Sequence, residues 1–386
     1  MGVRVAVAMS GGVDSSVACL LLKQKGFDVI GLTMKLLPNP ASDEIVTRAP
    51  CCTLEMVEDA RRICSELGIP HYTVNLVTEF DDAVIVPFIR DYATGRTPNP
   101  CLECNKVMKF GHLLHKAREI GATHVATGHY ARAGLFLDGK WVDNADAPGG
   151  AGSAGRTLLL RGVDGAKDQS YALYSLTQDE LSHAMFPLGG LTKRDVRQIA
   201  SDAGLRTADN PESQEICFVT GGYREFLAGR GINPAPGPMV DTAGKVIGRH
   251  AGIPFYTIGQ RRGLGVAGGR PLYVVDLDVL NNVVVVGERE EAFSSGCLIE
   301  DLSLIAEPSL DGPVTGTCMV RYRGKESPAT MRRVGQEPTS EPSAGPDTQG
   351  RVDFETPQFA VTPGQAAVLY QGEQVYGGGV IVKRLP

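Results

Sequence analysis

The chain has 386 residues, of which 42% are apolar and 21% are charged. This length is too great for one compact core and suits two or three domains of an ordinary globular protein. The formal net charge of −6 excludes the overall basic character of a nucleic-acid coat protein, so local basic patches would have to hold any RNA.

Neither a membrane span nor a secretory signal is predicted. No apolar run is long enough to cross a bilayer. Residues 1–7 lead straight into an apolar strand, without the basic flank, long apolar region and cleavage site of a signal peptide. We therefore expect a cytoplasmic protein that does not bind membranes. In that compartment, nine cysteines indicate thiol chemistry or core packing rather than a disulfide framework.

The first half of the chain alternates predicted strands with predicted helices, which is typical of a doubly wound parallel sheet covered by helices on both faces. The apolar spacing and the glycine stops define these elements. The strands are predicted at residues 3–8, 27–34, 71–76 and 124–127, and the helices at 15–25, 54–67 and 110–120.

The pattern changes near residue 220, after which Gly and Pro are frequent and the predicted strands are short. We predict an α/β domain at 1–220, a small central α+β domain at 221–288 and a C-terminal β-barrel-like domain at 289–386. Two segments rich in Gly, Ala, Pro, Ser and acidic residues, 143–155 and 336–350, are predicted as flexible insertions.

A glycine-rich loop, Ser-Gly-Gly-Val-Asp-Ser-Ser at residues 10–16, follows the first predicted strand and precedes the first helix. Gly11 and Gly12 allow positive φ and close approach of a ligand to backbone N–H groups, and the three serines add hydroxyl donors. The helix start adds unpaired N–H groups and a positive dipole end. The pattern predicts an anion cradle at the carboxyl end of a strand; the alternative is a simple turn with a Ser/Asp helix cap. It is not a Walker loop, because the lysine of that motif is absent.

A cysteine pair lies in the segment 97–106, Thr-Pro-Asn-Pro-Cys-Leu-Glu-Cys-Asn-Lys. Two prolines stiffen the backbone before Cys101 and Cys104. We expect a helix to begin a few residues after Cys104, which would place this thiol near a helix N-terminus, with Lys106 and Lys109 close by. Both features favour the thiolate. The pair has three interpretations: a redox pair, half of a metal site, or a nucleophile with a helper.

A third cysteine, Cys217, lies in the polar segment 212–218, Glu-Ser-Gln-Glu-Ile-Cys-Phe, which indicates a loop site rather than a core position. Cys19 and Cys64, by contrast, fall on predicted helices among apolar neighbours and indicate core packing. A four-ligand zinc site is not predicted, because no second C-x-x-C or H-x-x-x-H completes the ligand set.

A series of motifs runs in order over nearly the whole chain and resembles the bacterial tRNA-specific 2-thiouridylase family, within the ATP pyrophosphatase superfamily. Members of that superfamily split ATP into AMP and pyrophosphate while adenylating a substrate oxygen. The motifs are the loop 10–16, Met34-Lys35, Asn99-Pro100 with Cys104-Asn105, TGHYAR at 127–132, KDQSY at 167–171, SQEICF at 213–218, GQRRGLG at 259–265 and TPGQ at 362–365.

The resemblance implies ATP-dependent 2-thiolation of a uridine at the tRNA wobble position. The C2 oxygen would be adenylated, a cysteine persulfide would supply sulfur, and AMP and pyrophosphate would be released. Residues 1–220 would form the catalytic PP-loop domain, with an adenine nucleotide alpha hydrolase-like fold, and 289–386 would contact tRNA. The implied partners are lysine, glutamate and glutamine tRNAs and a sulfur donor such as a cysteine desulfurase or a sulfur relay protein.

The resemblance also implies roles for individual residues. Cys104 would be the nucleophile and Cys217 would carry the persulfide sulfur, and the two would form a disulfide when that sulfur is released. The ATP-binding residues would be Ala8, Met9, Ser10, Gly11, Gly12, Val13, Asp14, Ser15, Met34 and Gly128. The target base would be surrounded by Asn99, Pro100, Cys101, Lys167, Asp168 and Gln169, and other tRNA contacts would come from His129, Arg321, Tyr322 and Gln365.

Two points on cofactors follow. Mg²⁺ is expected to offset the triphosphate charge, with Asp14 as a candidate ligand. Cys101 departs from the family pattern, since some members carry Asp there as the suggested general acid/base, and a thiol fits that role less well.

Three alternatives remain open. Cys101, Cys104 and Cys217 could bind a [4Fe–4S] cluster through three thiolates, leaving one iron open for sulfide. Another ATP pyrophosphatase-type synthetase, such as an amidating enzyme, would need an ammonia source and would leave the cysteine pair without a role. A tRNA-binding or sulfur-carrier protein without catalysis would leave the loop 10–16 idle.

Overall fold

The structure, a computed structural model, describes residues 2–38, 54–138, 140–146, 155–210, 216–219, 222–266, 270–334 and 350–386. Most of the two predicted insertions, 143–155 and 336–350, lies outside these ranges. Within the described ranges, no helix combines the length and apolar character needed to cross a bilayer.

The chain forms two compact units. The first comprises Met1–Val84, Pro100–Thr220 and Glu373–Val375, and the second comprises Ile85–Asn99, Gly221–Gly372 and Tyr376–Pro386. The domain boundaries after residues 220 and 288 stay predictions.

The first unit is built on a five-stranded parallel sheet in the order β3-β2-β1-β4-β8, which confirms the predicted α/β class. Val5, Ala6 and Val7 in the central strand are fully buried, as expected for a strand covered on both faces. Later strands add on either side of β1, so a crevice for ligands is expected at the carboxyl ends of β1 and β4. The strands of this unit are β1 (Arg4–Ala8), β2 (Asp28–Lys35), β3 (His71–Asn75), β4 (His124–Ala126), β5 (Ala131–Leu137), β6 (Lys140–Asp143), β7 (Leu158–Arg161) and β8 (Ala184–Met185).

The helices are α1 (Val13–Gln24), α2 (Leu54–Glu66), α3 (Val77–Phe80), α4 (Val86–Ala93), α5 (Pro100–Glu103), α6 (Leu113–Glu119), α7 (Gln178–Ser182), α8 (Lys193–Asp202) and α9 (Tyr223–Gly229). The helices α1, α2 and α6 correspond to the three that apolar spacing predicts, and α4 and α9 belong to the second unit. Two π-helical segments cover Asp81–Ile85 and Cys104–His112, and short 3₁₀ turns cover Ser170–Leu173, Arg206–Asp209, Ile253–Phe255 and Arg289–Ala292.

The helix that carries the cysteine pair begins earlier than the sequence predicts. It starts at Pro100 and runs through Cys104–His112 into α6 without interruption. Proline at the first helical position has a preset φ and lacks only an N–H that would have no helical partner, so it starts the helix rather than delaying it. Cys104 therefore lies beyond the first turn, and Cys101 occupies the first turn.

The second unit contains a four-stranded sheet and an antiparallel barrel. The sheet has the order β10-β9-β12-β11, and the barrel has the order β13-β16-β15-β14-β17-β18 and closes through β13–β18. The barrel confirms the predicted C-terminal β-barrel. The strands are β9 (Gly237–Asp241), β10 (Val246–His250), β11 (Tyr273–Asp278), β12 (Val283–Gly287), β13 (Phe293–Leu304), β14 (Val314–Met319), β15 (Ser327–Arg333), β16 (Gly350–Phe359), β17 (Ala366–Gln371) and β18 (Gln374–Leu385).

Within the second unit, the turn Thr-Pro-Gly-Gln at 362–365 is tied to Thr97. The Thr97 amide donates to Pro363 O at 2.8 Å, and Gln365 Nε2 donates to Thr97 O at 2.7 Å. Gly364 has φ +91°, and a Cβ there would lie 2.9 Å from the Thr97 backbone. The Gln365 amide, predicted to contact tRNA, thus holds the segment that ends at Asn99.

Replacing Gly364 by alanine is expected to destabilise the second unit by about 2–3 kcal/mol, because both the left-handed backbone and the contact with Thr97 oppose a Cβ. Gly372→Ala is the matched control, since its φ is +60° but no atom lies within 4 Å of an added Cβ. That variant is expected to lose only about 1 kcal/mol. Urea unfolding of the full chain measures both, and equal losses would show that the approach to Thr97 contributes nothing.

Candidate active site at the carboxyl edge of the parallel sheet

The loop between β1 and α1 is closed by its own serines. Ser15 Oγ accepts from the Ser10 amide at 3.2 Å and donates to Gly12 O at 3.0 Å, and Ser16 Oγ donates to the same carbonyl at 2.8 Å. Ser15 and Ser16 are buried and Ser10 is exposed. The hydroxyls of Ser15 and Ser16 therefore hold the loop's shape, and the prediction that the three serines donate to an anion stays a prediction.

Gly11 and Gly12 differ in backbone conformation and in surroundings. Gly11 has φ +74°, and a Cβ there would lie 2.6 Å from Met56 O. Gly12 has φ −90° and ψ 164°, an extended conformation open to any residue, so the predicted need for positive φ is wrong at this position. Gly12 is instead the N-cap of α1 and provides no side-chain cap. The first N–H groups of α1 can therefore bind an anion.

Gly128 lies directly after β4 and touches the first turn of α1. A Cβ at this position would lie 2.8 Å from the Asp14 carbonyl carbon and 2.9 Å from the Ser15 amide nitrogen. β1 and β4 are parallel neighbours, which explains how residues so distant in sequence meet. The structure thus brings the loop 10–16 and Gly128 together, as the sequence predicts, and places half-buried Met34 at the same sheet edge near the end of β2.

A buried ion pair beside this loop was not foreseen from the sequence. Lys193 Nζ lies 2.7 Å and 2.8 Å from the two carboxylate oxygens of Asp14, and the Tyr130 hydroxyl donates to Asp14 Oδ1 at 2.7 Å. Lys193 is only 8% exposed. The residues around Lys193 in the sequence do not predict this pair, because Asp14 lies 179 positions away in the chain.

A chain of polar contacts links the Cys104 helix to the end of β4. Asn105, 2% exposed, donates through Nδ2 to Ala172 O at 2.8 Å and accepts from Lys109 Nζ at 2.8 Å. Lys109 Nζ also lies 3.4 Å from His129 Nε2. Because an ammonium group only donates, Nε2 is the acceptor, and His129 Nδ1–H donates to Thr127 Oγ1 at 2.7 Å.

His129 is buried against Phe110 and Phe186, with 7% of its surface exposed. Burial, and secondarily the Lys109 charge, hold the pKa of His129 well below its ordinary value of 6.5. The ring is therefore neutral at neutral pH. The contact of His129 with tRNA stays a prediction, and in this structure the ring packs against the two phenylalanines.

Asp168 is held by hydrogen bonds within its own turn, and its contact with the target base stays a prediction. Its carboxylate accepts from the Gly162 and Ser170 amides and the Ser170 hydroxyl at 2.9–3.1 Å, and Arg161 lies 3.4 Å away. The side chain is 7% exposed. Gln169 Oε1 accepts from the Tyr130 amide at 3.0 Å. Both side chains fix the turn that carries half-buried Lys167, and the contact of Lys167 with the target base stays a prediction.

The two cysteine-bearing segments of the first unit pack against one short helix. The helix α3 contacts the segment Cys104–His112. Its last residue, fully buried Phe80, makes an edge contact with Phe218, the neighbour of Cys217, at 5.7 Å between ring centroids. Cys104 and Cys217 are half-buried and Cys101 is exposed. The thiols of Cys104 and Cys217 are thus partly accessible, and their segments both contact α3, which is compatible with sulfur chemistry.

The remaining predicted tRNA-contacting residues belong to the second unit. Arg321 is exposed in the loop after β14, and the Arg323 guanidinium lies 5.2 Å from the ring centre of half-buried Tyr322. Asn99 is half-buried at the end of a segment of this unit, whereas Pro100 is buried in the first unit.

Neither inorganic cofactor finds a ready ligand set. Across the described ranges, no group of three His, Cys, Asp or Glu side chains is placed to hold a metal ion. Cys101, Cys104 and Cys217 all fall within those ranges, so they do not form a three-thiolate site for an iron–sulfur cluster in this structure. Asp14, the candidate Mg²⁺ ligand, already has both oxygens engaged by Lys193.

Comparison with family models covers almost the whole chain. The model described as "tRNA methyl transferase HUP domain" matches residues 3–221. The model described as "tRNA methyl transferase PRC-barrel domain" matches 224–288, and the "Aminomethyltransferase beta-barrel domain" matches 294–381.

Curated relatives are similar over the full length. The tRNA-specific 2-thiouridylase MnmA of Moorella thermoacetica is 47% identical over 97% of this chain and 98% of its own. The proteins of that name from Heliobacterium modesticaldum and Clostridioides difficile are 46% and 42% identical, covering 99% and 100% of this chain and 93% and 99% of their own. A solved 4-thiouridine synthetase–RNA complex with bound ATP is 16% identical, with a TM-score of 0.33 over 56% of this chain and 45% of that one, which is too low to carry an argument.

Gly128→Ala is expected to weaken ATP binding and to lower activity on the order of 10²-fold, because the new Cβ would displace the first turn of α1. Gly165→Ala is the control in the same unit, since no atom lies within 4 Å of a Cβ there. Calorimetric titration with a non-hydrolysable ATP analogue measures both variants. Unchanged affinity in Gly128→Ala would contradict a nucleotide site at this loop.

The free energy of unfolding is expected to fall as pH drops below about 6.5, the ordinary pKa of histidine. Burial lowers the pKa of His129, and that of His124 to about 4, so below 6.5 the unfolded state binds more protons than the folded state. Thermal midpoints measured from neutral to acidic pH should show this slope. His129→Gln should flatten it, whereas His115→Gln, on the exposed face of α6, should not; equal slopes in all three proteins would refute the assignment.

Proposed function

We propose that this chain, which belongs to the tRNA-specific 2-thiouridylase family, uses ATP to replace the C2 oxygen of a tRNA uridine with sulfur. The observation that carries the proposal is similarity over the full length, since the relatives of that name cover 97–100% of the chain. The uncapped N-terminus of α1, bounded by Gly11 and Gly128, supports it as an anion site.

The first step we propose is adenylation of the base. The triphosphate would lie against the first turn of α1, with Ala8, Met9 and Met34 completing the ATP site. The C2 carbonyl oxygen of uridine attacks the α-phosphorus, and the bond to pyrophosphate breaks. The carbonyl, which has no good leaving group of its own, is thereby converted into one that can expel AMP. The departing pyrophosphate would be held by the N–H groups of the loop and α1.

Sulfur transfer would use Cys217 as persulfide carrier and Cys104 as nucleophile. The terminal persulfide sulfur forms a bond to C2, and AMP leaves with the C2–O electron pair. The Cys104 thiolate attacks Cys217 Sγ, the persulfide S–S bond breaks, and its electron pair stays on the transferred sulfur. The products are the 2-thiouridine and a Cys104–Cys217 disulfide, which an external dithiol must reduce. In the alternative order, Cys104 first releases free sulfide from the persulfide and the sulfide then attacks C2; the same bonds form and break, and the products are the same.

The partners we propose are those that this chemistry needs. The substrates would be wobble uridines of lysine, glutamate and glutamine tRNAs, contacted by Lys167 in the first unit and by Arg321 and Tyr322 in the second. A wobble base must leave its stack to reach a site at a sheet edge. A cysteine desulfurase or sulfur relay protein would load Cys217, in the cytoplasm, and Mg²⁺ would accompany ATP through its phosphates.

The matching family models are named for methyl transfer, which is a different reaction. We propose thiolation because the first unit carries both an uncapped helix N-terminus that can bind an anion and half-buried thiols, and because the relatives over the full length are named for it. The product mass separates the two, since exchange of oxygen for sulfur and addition of a methyl group change it differently.

Purified protein with ATP, Mg²⁺, a cysteine desulfurase, cysteine and unmodified tRNA is expected to give RNA that is retarded on a gel that binds thiolated RNA. Cys104→Ser and Cys217→Ser should each abolish the shift, because each removes one of the two sulfurs that the electron balance requires. Omitting ATP should abolish it too.

Cys297→Ala is the control, because it removes a thiol that is buried in the core of the barrel and to which no chemistry is assigned. It should keep the shift in folded protein. Iron is quantified in each sample: a shift that appears only with bound iron would favour the cluster mechanism. No shift under any condition would contradict thiolation and would favour another reaction of the ATP pyrophosphatase superfamily.

A further inference from the structure

The ion pair between Lys193 and Asp14 has no part in the chemistry proposed above. It nevertheless involves a residue of the loop itself: the Lys193 ammonium is within 2.8 Å of both Asp14 oxygens, and the Tyr130 hydroxyl donates to one of them. The Lys193 side chain is 11% exposed, whereas the Asp14 side chain is 33% exposed. The cation is therefore the buried partner, and the anion faces the site.

Several contacts of the Lys193 backbone and side chain fix the position of its ammonium group. Lys193 is the first residue of α8, whose N-cap Thr192 forms a capping box with Asp195. The Lys193 amide donates to Asp164 Oδ2 at 2.9 Å, and its Nζ lies 5.7 Å from the centre of the Tyr130 ring. A lysine held at its backbone and along its stem loses little further freedom when it pairs with Asp14.

Asp14 occupies the first turn of α1, where the loop's N–H groups would meet a triphosphate. An uncompensated carboxylate at this point would repel the phosphates and offset the attraction of the helix dipole. The same carboxylate, paired with Lys193, adds no net charge.

We propose that Lys193 is a positioning residue of this reaction: it neutralises Asp14 and fixes the first turn of α1, so that the N–H groups there face the triphosphate without a competing negative charge. The inference rests on the proposed function. It also assigns Asp14 to the loop's internal structure rather than to Mg²⁺, because both carboxylate oxygens accept from the lysine.

Steady-state thiolation by Lys193→Met, Asp14→Asn and the double variant tests this. Lys193→Met is expected to raise KM for ATP on the order of ten-fold, as one uncompensated charge near the phosphates would, and to leave KM for tRNA unchanged. Adding Asp14→Asn removes the stranded charge, so the double variant should return to within about three-fold of Asp14→Asn alone. Lys193→Arg keeps the charge and should retain most of the ATP affinity.

Three outcomes would overturn the inference. A double variant as impaired as Lys193→Met would mean that Lys193 contacts the phosphates itself or serves only the fold. A higher Mg²⁺ requirement in Asp14→Asn would make Asp14 a metal ligand. An unchanged KM for ATP in Lys193→Met would remove the charge argument.

Two more comparisons separate a folding defect, and a failure of the proposed function, from a failure of this inference. If Lys193→Met does not fold, the double variant, which strands no charge, and Lys193→Arg are compared with wild type by binding of a non-hydrolysable ATP analogue; a large loss of affinity in the double variant contradicts the inference. Failure of the wild type to thiolate would contradict the proposed function, whereas an active wild type without rescue by Asp14→Asn contradicts only the role of Lys193.

Discussion

The site depends on one close approach of main chain to main chain, that of Gly128 to Asp14 and Ser15. Parallel pairing of β1 with β4 sets their carboxyl ends side by side, so the chain leaving β4 must pass the first turn of α1. Only a residue without a Cβ allows this passage. Gly11 has the matching role opposite, against Met56. The loop is thus confined from two sides while the N-terminus of α1 keeps no side-chain cap, which is the condition for binding an anion there.

Two ionisable groups near this loop, His129 and Asp14, add no net charge, the first because it is buried and the second because it is paired. His129 stays neutral because its ring is buried and Lys109 lies beside it, and Asp14 is offset by Lys193. A site that must accept a triphosphate therefore presents dipoles and cations, and the carboxylate in its first turn is compensated. Because these groups are held by hydrogen bonds before any ligand arrives, little reorganisation would be needed when charge develops on the leaving pyrophosphate.

The features that the sequence predicts correctly are those encoded locally. The parallel sheet, the loop and the barrel follow from apolar spacing, glycine positions and short strands. The predicted start of the cysteine helix is wrong, because Pro100 is the first residue of the helix and not part of a stiff segment before it. The pair of Asp14 with Lys193 joins residues 179 positions apart, and no local pattern encodes such a contact. Burial of His129 and Asp168 was missed for a related reason: composition does not tell which polar side chains the core will enclose.

The contacts of the cysteine helix add a relation that the sequence alone could not give. Residues Cys104–His112 form a π-helical segment, in which hydrogen bonds close from residue i to i+5. Asn105 and Lys109 of this segment are four apart, and the Lys109 ammonium donates to the Asn105 side-chain oxygen at 2.8 Å. Lys109 is in turn fixed by Asn105 and His129. Because Asn105 also donates to Ala172 O and His129 follows β4, these contacts tie the Cys104 helix to the carboxyl edge of the parallel sheet, and the helix keeps this attachment although Cys104 lies past its first turn.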